Sequence, residues 1–226
     1  MPDPRVRSTI PFCTAAILAL AMLWASAQAR HHSPAAASNV PGQFDYYLLS
    51  LSWSPSYCLV HPADRDQCQG RGFGFVLHGL WPQFDAGGYP QQCQSHEGLD
   101  RQAQALGGRL YPSPSLMAHE WQRHGRCSGL GAADYFRTAD RALALLRIPA
   151  LFEAPRSDQH LSPQQILAAW RAANPALPPH SLMLACRGGE LSEVRLCLSR
   201  DLQPRPCGQG VADGCPARPV LIAAAR

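Results

Sequence analysis

The sequence predicts an α+β domain in which a central antiparallel β-sheet is flanked by helices and stabilised by disulfide bonds. Extended apolar segments lie near both ends of the chain, and helical segments lie between them. Separate runs of strands and helices are typical of α+β domains. Eight of the nine cysteines follow the N-terminal leader, an even number that suits disulfides. The 226 residues are enough to bury a core.

Residues 1–29 have the pattern of a secretory signal peptide. Two arginines precede an apolar run over 15–24, and small residues follow it. This run is shorter than the roughly 20 residues that a membrane-spanning helix needs. We expect cleavage after Ala27 or Ala29 and a secreted or periplasmic mature protein without membrane contact.

Residues 30–42 are small, polar and proline-containing, which predicts a flexible lead-in to a single domain over 43–226. His31 and His32 could bind a metal there, but a solvated tail is the better interpretation. After this segment, an aromatic and aliphatic strand is predicted over 44–53. A second strand is predicted over 73–80, and simple alternation puts Leu77 and Leu80 on opposite faces, with His78 near the strand's end.

Helices and two further strands follow. Ser113 and Ser162 are each followed by proline, the pattern of a helix start, and Ser162 opens a capping box. Helices are predicted over 113–124, 134–147 and from 162 to before 174. Strands with alternating apolar residues are predicted over 182–186 and 191–198.

The segment His119–Cys127, HEWQRHGRC, looks like a zinc-protease HExxH motif with one residue too many. On a helix, five residues turn about 500°, which leaves His119 and His124 about 140° apart and disfavours a shared zinc ion. Glu120 and His124 instead share one helical stripe, beside the stripe of His119 and Arg123. This set suits proton transfer on an anionic substrate, but an exposed helix end with one salt bridge fits the motif equally well.

A second segment, Phe75–Gln83, decides between these readings. It reads FVLHGLWPQ and lies roughly 40 residues before HEWQRHGRC. The two segments, with SWSPSYC over 52–58, resemble the motifs of the ribonuclease T2 family of secreted, vacuolar and periplasmic endoribonucleases. The resemblance covers about 44–215, and it implies that family's fold and an enzyme that needs no metal or other cofactor.

The family's reaction is transphosphorylation of RNA. A ribose 2′-hydroxyl attacks its own 3′-phosphate and leaves a 2′,3′-cyclic phosphate, which water can open to a 3′-phosphate. The resemblance implies that His124 is the base, His78 the acid and Glu120 the third catalytic residue. His119 and Arg123 are expected to stabilise the transition state. Because the nucleophile is a 2′-hydroxyl, DNA should not be cleaved.

The expected partner is single-stranded RNA, bound by a monomer. The resemblance implies that Trp81 and Tyr89 stack on a base and that Gln83 contacts a base edge. An amide both donates and accepts, so broad base specificity is expected. Packing or surface roles remain the alternatives for these three residues.

Two arginines depart from the usual family pattern. Arg123 stands where lysine is common, so a point charge becomes a planar fork. Arg126 replaces a small polar residue and either contacts phosphate or faces solvent, and solvent is favoured. All 20 basic residues are arginine.

Counting cysteines leaves on the order of a hundred pairings open. The resemblance implies four disulfide bonds, which are Cys58–Cys68, Cys93–Cys127, Cys186–Cys215 and Cys197–Cys207. An alternative function is a catalytically inactive secreted binding protein on the same scaffold. The presence of the two motif histidines and the glutamate disfavours it.

Overall fold

The computed structural model describes residues 39–153 and 155–225. The predicted signal peptide and residues 30–38 of the predicted lead-in lie outside this range. Residues 39–42 are held against the domain, because the Gly42 N–H donates to the Cys127 carbonyl at 2.9 Å and the Gln91 N–H donates to Asn39 Oδ1 at 3.1 Å. The domain boundaries stay a prediction.

Helices and strands are interspersed along the described chain. The strands are β1 Tyr46–Trp53, β2 Phe75–Gln83, β3 Gln159–Leu161, β4 Leu182–Arg187, β5 Glu190–Leu198 and β6 Val220–Ile222. The α-helices are α1 Ser54–Val60, α2 Arg101–Leu110, α3 Pro114–Arg123, α4 Ala132–Leu143 and α5 Pro163–Ala173. Short 3-10 helices cover Gly125–Ser128 and Ala150–Phe152.

The strands form one sheet in the order β2-β1-β5-β6-β3, and β4 also pairs with β5. The pairs are antiparallel except for β5 and β6, which are parallel at the bridge between Glu190 and Leu221. The α+β prediction is confirmed, with a mixed rather than a purely antiparallel sheet. Strand β1 lies between β2 and β5, so side chains from these two strands can meet above it.

The structure adds two helices that the sequence analysis did not predict. Helix α1 begins at the Ser54-Pro55 pair that directly follows β1, because proline suits a first helical turn as well as a strand end. Helix α2 has Asp100 as its N-cap, but two interior glycines hide its helical signal. A Cβ on Gly107 would lie 2.6 Å from Met117 Sδ, so this glycine lets α2 pack closely on α3.

Strand β2 contains a β-bulge at His78. Ser50 of β1 lies opposite Gly79 and the next residue, Leu51, lies opposite Leu77, so His78 has no partner on β1. Leu77 and Leu80 are therefore both buried in the core. The prediction that they lie on opposite faces was wrong, because the bulge interrupts the alternation.

Four disulfide bonds close loops of the described chain, and they are the pairs that the resemblance implies. They are Cys58–Cys68, Cys93–Cys127, Cys186–Cys215 and Cys197–Cys207. The Cys93–Cys127 bond joins the loop after β2 to the 3-10 helix after α3. It therefore ties together the two chain segments that carry the predicted catalytic residues.

Candidate functional site

The residues predicted for catalysis and base binding lie together in one cleft of about 470 Å³. Three of them lie on strand β2, one lies in the loop after β2, and four lie at the end of α3. The eight residues are His78, Trp81, Gln83, Tyr89, His119, Glu120, Arg123 and His124.

The end of helix α3 turns its side chains towards β2. Glu120 and His124 are buried, with 1% and 6% exposure, whereas His119 is exposed. The His124 N–H still donates to the Glu120 carbonyl at 3.0 Å, but the backbone of His124 is no longer helical. Gly125 then packs so closely on Trp121 that a Cβ there would lie 2.5 Å from its ring. The helix thus ends where His124 enters the cleft.

Glu120 is held by the indole of Trp81, whose Nε1–H donates to Oε2 at 2.6 Å. Gly79 permits this approach, because a Cβ there would overlap both groups. The other oxygen, Oε1, lies 3.8 Å from His78 Nε2. Burial raises the pKa of Glu120 to about 7, although the charge of His78 and the Trp81 hydrogen bond lower it.

Trp81 contacts both catalytic candidates, with its ring centroid 5.0 Å from that of His78 and 5.3 Å from that of His124. The half-exposed Tyr89 ring lies 5.7 Å from His124. Gln83 is buried, and its Nε2 donates to the Pro82 carbonyl at 3.0 Å. The three residues predicted for base binding therefore line the cleft, and Trp81 is also bonded to Glu120.

The imidazole of His124 favours its neutral form. Burial lowers its pKa to about 3, and the positive charges of Arg123, His119 and His78 act in the same direction. Its Nδ1 is buried and has no hydrogen-bond partner among the described residues. A neutral imidazole in this position can accept a proton from a bound hydroxyl.

His78 has the opposite electrostatic environment, set by a residue that the sequence analysis missed. Glu193 Oε1 lies 2.7 Å from His78 Nδ1, and Arg195 Nη2 lies 2.6 Å from Glu193 Oε2. Burial lowers the pKa of His78, but the hydrogen bond and charge of Glu193 and the charge of Glu120 outweigh it and raise the pKa above its ordinary value.

The carboxylate of Glu193 is ionised in this pairing. Burial raises its pKa, but His78 and Arg195 together lower it to about 2. Glu193 and Arg195 alternate with buried apolar residues on β5, so the sequence could have marked them as outward-facing. The sequence could not reveal that only β1 separates β5 from β2 in the sheet. This strand order lets Glu193 reach His78 and makes Glu193 and Arg195 part of the cleft.

The described residues contain neither a metal-ligand cluster nor a membrane-spanning helix. Over 39–153 and 155–225, no group of three or more histidine, cysteine, aspartate or glutamate side chains could hold a metal ion. Within the same ranges, none of the helices combines the length and apolar character needed to cross a bilayer.

His78 and His124 have pKa values shifted in opposite directions, and the same cleft is lined by Arg123, which forms no salt bridge among the described residues. This combination suits proton transfer on a phosphate-bearing substrate. The sequence model of the Ribonuclease T2 family matches residues 44–207, and the chain belongs to this family.

Similarity to proteins named as ribonucleases supports this membership. The chain is 52% identical over 103 residues to a ribonuclease of Aeromonas hydrophila, an alignment that covers 46% of each protein. It therefore spans about half the length of that relative. Ribonuclease DdI of Dictyostelium discoideum is 29% identical over 182 residues, which cover 73% of this chain and 78% of that one.

Solved structures share the fold. An RNase-related protein from Calystegia sepium has a TM-score of 0.66 at 24% identity, covering 81% of this chain and 98% of that one. RNase NT in complex with 5′-AMP has a TM-score of 0.60 at 25% identity, with 78% and 97% coverage. A variant of RNase MC1 in complex with 5′-UMP has a TM-score of 0.61 at 26% identity, with 77% and 96% coverage.

Proposed function

We propose that the protein is a metal-independent endoribonuclease that cleaves single-stranded RNA by transphosphorylation and has broad base specificity. The observation that carries this proposal is the pair His78 and His124, which line one cleft with pKa values shifted in opposite directions. Family membership and relatives named as ribonucleases support the same activity.

In the first step, neutral His124 accepts the proton of the ribose 2′-hydroxyl. The 2′-oxygen forms a bond to phosphorus while the bond from phosphorus to the 5′-oxygen of the next nucleotide breaks. Protonated His78 donates its Nε2 proton to that 5′-oxygen. The products are a 2′,3′-cyclic phosphate and a free 5′-hydroxyl.

In the second step, water opens the cyclic phosphate. His78, now neutral, accepts a proton from the water as its oxygen bonds to phosphorus. His124 returns its proton to the 2′-oxygen as the bond from that oxygen to phosphorus breaks, which leaves a 3′-phosphate. Both histidines then have their original protonation states, so the cycle is complete.

Glu120, Arg123 and His119 stabilise the charge on the phosphorus-bound oxygens. A carboxyl group with a pKa of about 7 is largely protonated in mildly acidic solution, so Glu120 can donate a hydrogen bond instead of repelling the phosphate. Arg123 supplies a permanent positive charge beside it.

Glu193 acts on His78 through Nδ1, and Arg195 acts through Glu193. By accepting from Nδ1–H, Glu193 directs Nε2 into the cleft and stabilises the protonated ring that serves as the acid. The ion pair with Arg195 fixes the carboxylate in place. These two residues are positioning residues, because neither needs to touch the substrate.

Substrate binding and compartment complete the proposal. The rings of Trp81 and Tyr89 form a surface on which a base can stack, and Gln83 can contact its edge. The leader pattern over 1–29 and the four disulfides support a secreted or periplasmic protein. A monomer without cofactor is expected.

The test is digestion of RNA with excess chelator. Wild-type protein should depolymerise RNA and leave 2′,3′-cyclic phosphate ends, whereas DNA of the same sequence stays intact. His78→Ala and His124→Ala should each lose activity while keeping the wild-type thermal unfolding profile. Full activity in His124→Ala, or activity that needs added zinc, would overturn the proposal, and no activity in the folded wild type would favour the binding-protein alternative.

A further inference from the structure

A second groove borders the catalytic cleft near the end of α3. It has a volume of about 280 Å³, and we call it the arginine groove. Besides Cys93, it is lined by Gln92, Gln94, His119, Gln122, Arg123 and Arg126. His119 and Arg123 also line the catalytic cleft, so both depressions border these two side chains.

The groove carries the positive charges of Arg123 and Arg126, and no carboxylate in its lining balances them. Its lining contains no aspartate or glutamate, and within the described ranges Arg123 and Arg126 form no salt bridge. Arg195 and Arg205, by contrast, are each paired with a carboxylate. Two unpaired guanidinium groups that face the same depression favour an anionic ligand with several oxygen acceptors.

Arg126 lines this groove and has one side-chain donor without a partner among the described residues. Its side chain is only partly exposed, and its Nε is buried without a hydrogen-bond partner among the residues described. The exposed part of the guanidinium can donate to the oxygens of an anion bound in the groove. The choice between phosphate contact and solvent for Arg126 stays a prediction, because its side chain is partly exposed.

The walls of the groove are held rigidly. The Cys93–Cys127 disulfide joins the two sides, and the Gln92 N–H donates to the Arg123 carbonyl at 2.8 Å. Gln92 has a φ of 53°, a left-handed conformation that costs energy for a residue with a Cβ. Strained residues fixed by surrounding bonds are common at ligand sites.

We propose that the arginine groove binds a phosphodiester group of the RNA chain next to the scissile phosphate. Arg126 and Gln122 contact this second phosphate, while Arg123 lies between the two phosphate positions. The inference rests on the proposed ribonuclease function and deepens it: the enzyme should prefer a chain of several nucleotides over a substrate that has only the scissile phosphate.

The test compares two substrate lengths. A dinucleoside monophosphate has only the scissile phosphate, whereas hexanucleotides extended on the 5′ or the 3′ side have further ones. Arg126→Ala should leave kcat/KM for the dinucleoside monophosphate within about twofold of wild type and lower it about five- to tenfold for one of the hexanucleotides. The slope of log kcat/KM against log salt should become shallower by about 0.7 for that hexanucleotide.

Two further variants complete the design. Arg187→Ala removes the same charge from an exposed site outside both depressions and should leave both substrates unaffected. Gln122→Glu adds a negative charge on an exposed helical side chain, so it tests the groove even where Arg126→Ala unfolds, and it should lower hexanucleotide cleavage selectively.

Each outcome has a distinct meaning. Equal losses on short and long substrates would overturn the subsite and assign Arg126 to the catalytic cleft. Unchanged cleavage of both hexanucleotides by Arg126→Ala and Gln122→Glu would also overturn it. Failure of the wild-type protein to cleave any of the substrates would overturn the proposed function itself.

Discussion

Glu193 lies behind His78, with Oε1 2.7 Å from Nδ1, and this contact joins β5 to the bulge in β2 across β1. The carboxylate is fixed in turn by Arg195. His78 thus has a carboxylate partner that raises its pKa, whereas His124 faces positive charges that lower its own. The two imidazoles of this cleft therefore have pKa values shifted in opposite directions, as the proposed acid and base roles require.

The first prediction concerns the pH dependence of Glu193→Gln. Loss of the negative charge should lower the pKa of His78, so the protonated acid is lost at a lower pH. The basic limb of the kcat/KM profile should therefore move to lower pH by about one unit, while activity well below that limb stays near wild type. The measurement is kcat/KM for a dinucleoside monophosphate from about pH 4 to about pH 9, a range that covers both the protonated and the neutral form of His78.

Two variants serve as controls for this prediction. Glu190→Gln removes a carboxylate at the start of the same strand and should leave the limb in place. Glu193→Asp keeps the charge and should restore much of the wild-type profile. A uniform loss of activity in Glu193→Gln without movement of the limb would contradict the positioning role.

The sequence was sufficient to predict the residues that lie within its two motifs. Each motif is a short continuous segment at a strand end or a helix end, so it can be recognised from sequence alone. The structure brings their residues into one cleft, namely His78, Trp81, Glu120 and His124. The roles given to these residues stay predictions.

The remaining features depend on contacts between distant segments. Glu193 became part of the site through the strand order, which no local pattern reveals. The bulge at His78 depends on pairing with β1, and helix α2 depends on the close packing of Gly107 against Met117. In each case tertiary contacts, rather than local propensity, determine the outcome.

The second prediction separates two roles of Trp81. Trp81→Phe keeps an aromatic ring but removes the Nε1–H that donates to Glu120. We expect kcat to fall about tenfold with KM changed by no more than about twofold, because the lost bond positions a catalytic group. Tyr89→Phe is the matched control and should change neither constant. A raised KM with unchanged kcat in Trp81→Phe would mean that the indole only stacks on the base.

The third prediction concerns the disulfide between the two motif segments. The Cys93–Cys127 bond closes a sequence separation of 34, and replacing both cysteines by alanine should lower the free energy of unfolding by about 4 kcal/mol. The Cys58–Cys68 bond spans 10, and its removal should cost about 3 kcal/mol. Chemical denaturation measures both values.

Activity distinguishes these two disulfides more sharply than stability does. At a temperature where both variants are folded, loss of Cys93–Cys127 should lower kcat/KM, because the loop over 91–94 and the end of α3 lose their link. Loss of Cys58–Cys68 should not change it. Equal activity in both variants would show that the link between the motif segments is not needed for catalysis.

The last prediction concerns the protonation state of Glu120. If its carboxyl group acts as a neutral hydrogen-bond donor, an amide can partly replace it, because it accepts from Trp81 and still donates into the cleft. We expect Glu120→Gln to lose about tenfold in kcat and Glu120→Ala about a hundredfold or more. Equal losses would instead indicate that the ionised carboxylate is required.

Stability provides an independent check on the same group. The folded-state pKa of Glu120 is raised to about 7 from an ordinary value of 4.5, so its carboxyl group destabilises the fold progressively as pH rises between these values. Glu120→Gln cannot ionise and escapes this loss. The stability of the variant relative to wild type should therefore be higher at about pH 8, where folded Glu120 is mostly ionised, than at about pH 4, where it is mostly protonated in both the folded and the unfolded state. A stability difference independent of pH would contradict the raised pKa of Glu120.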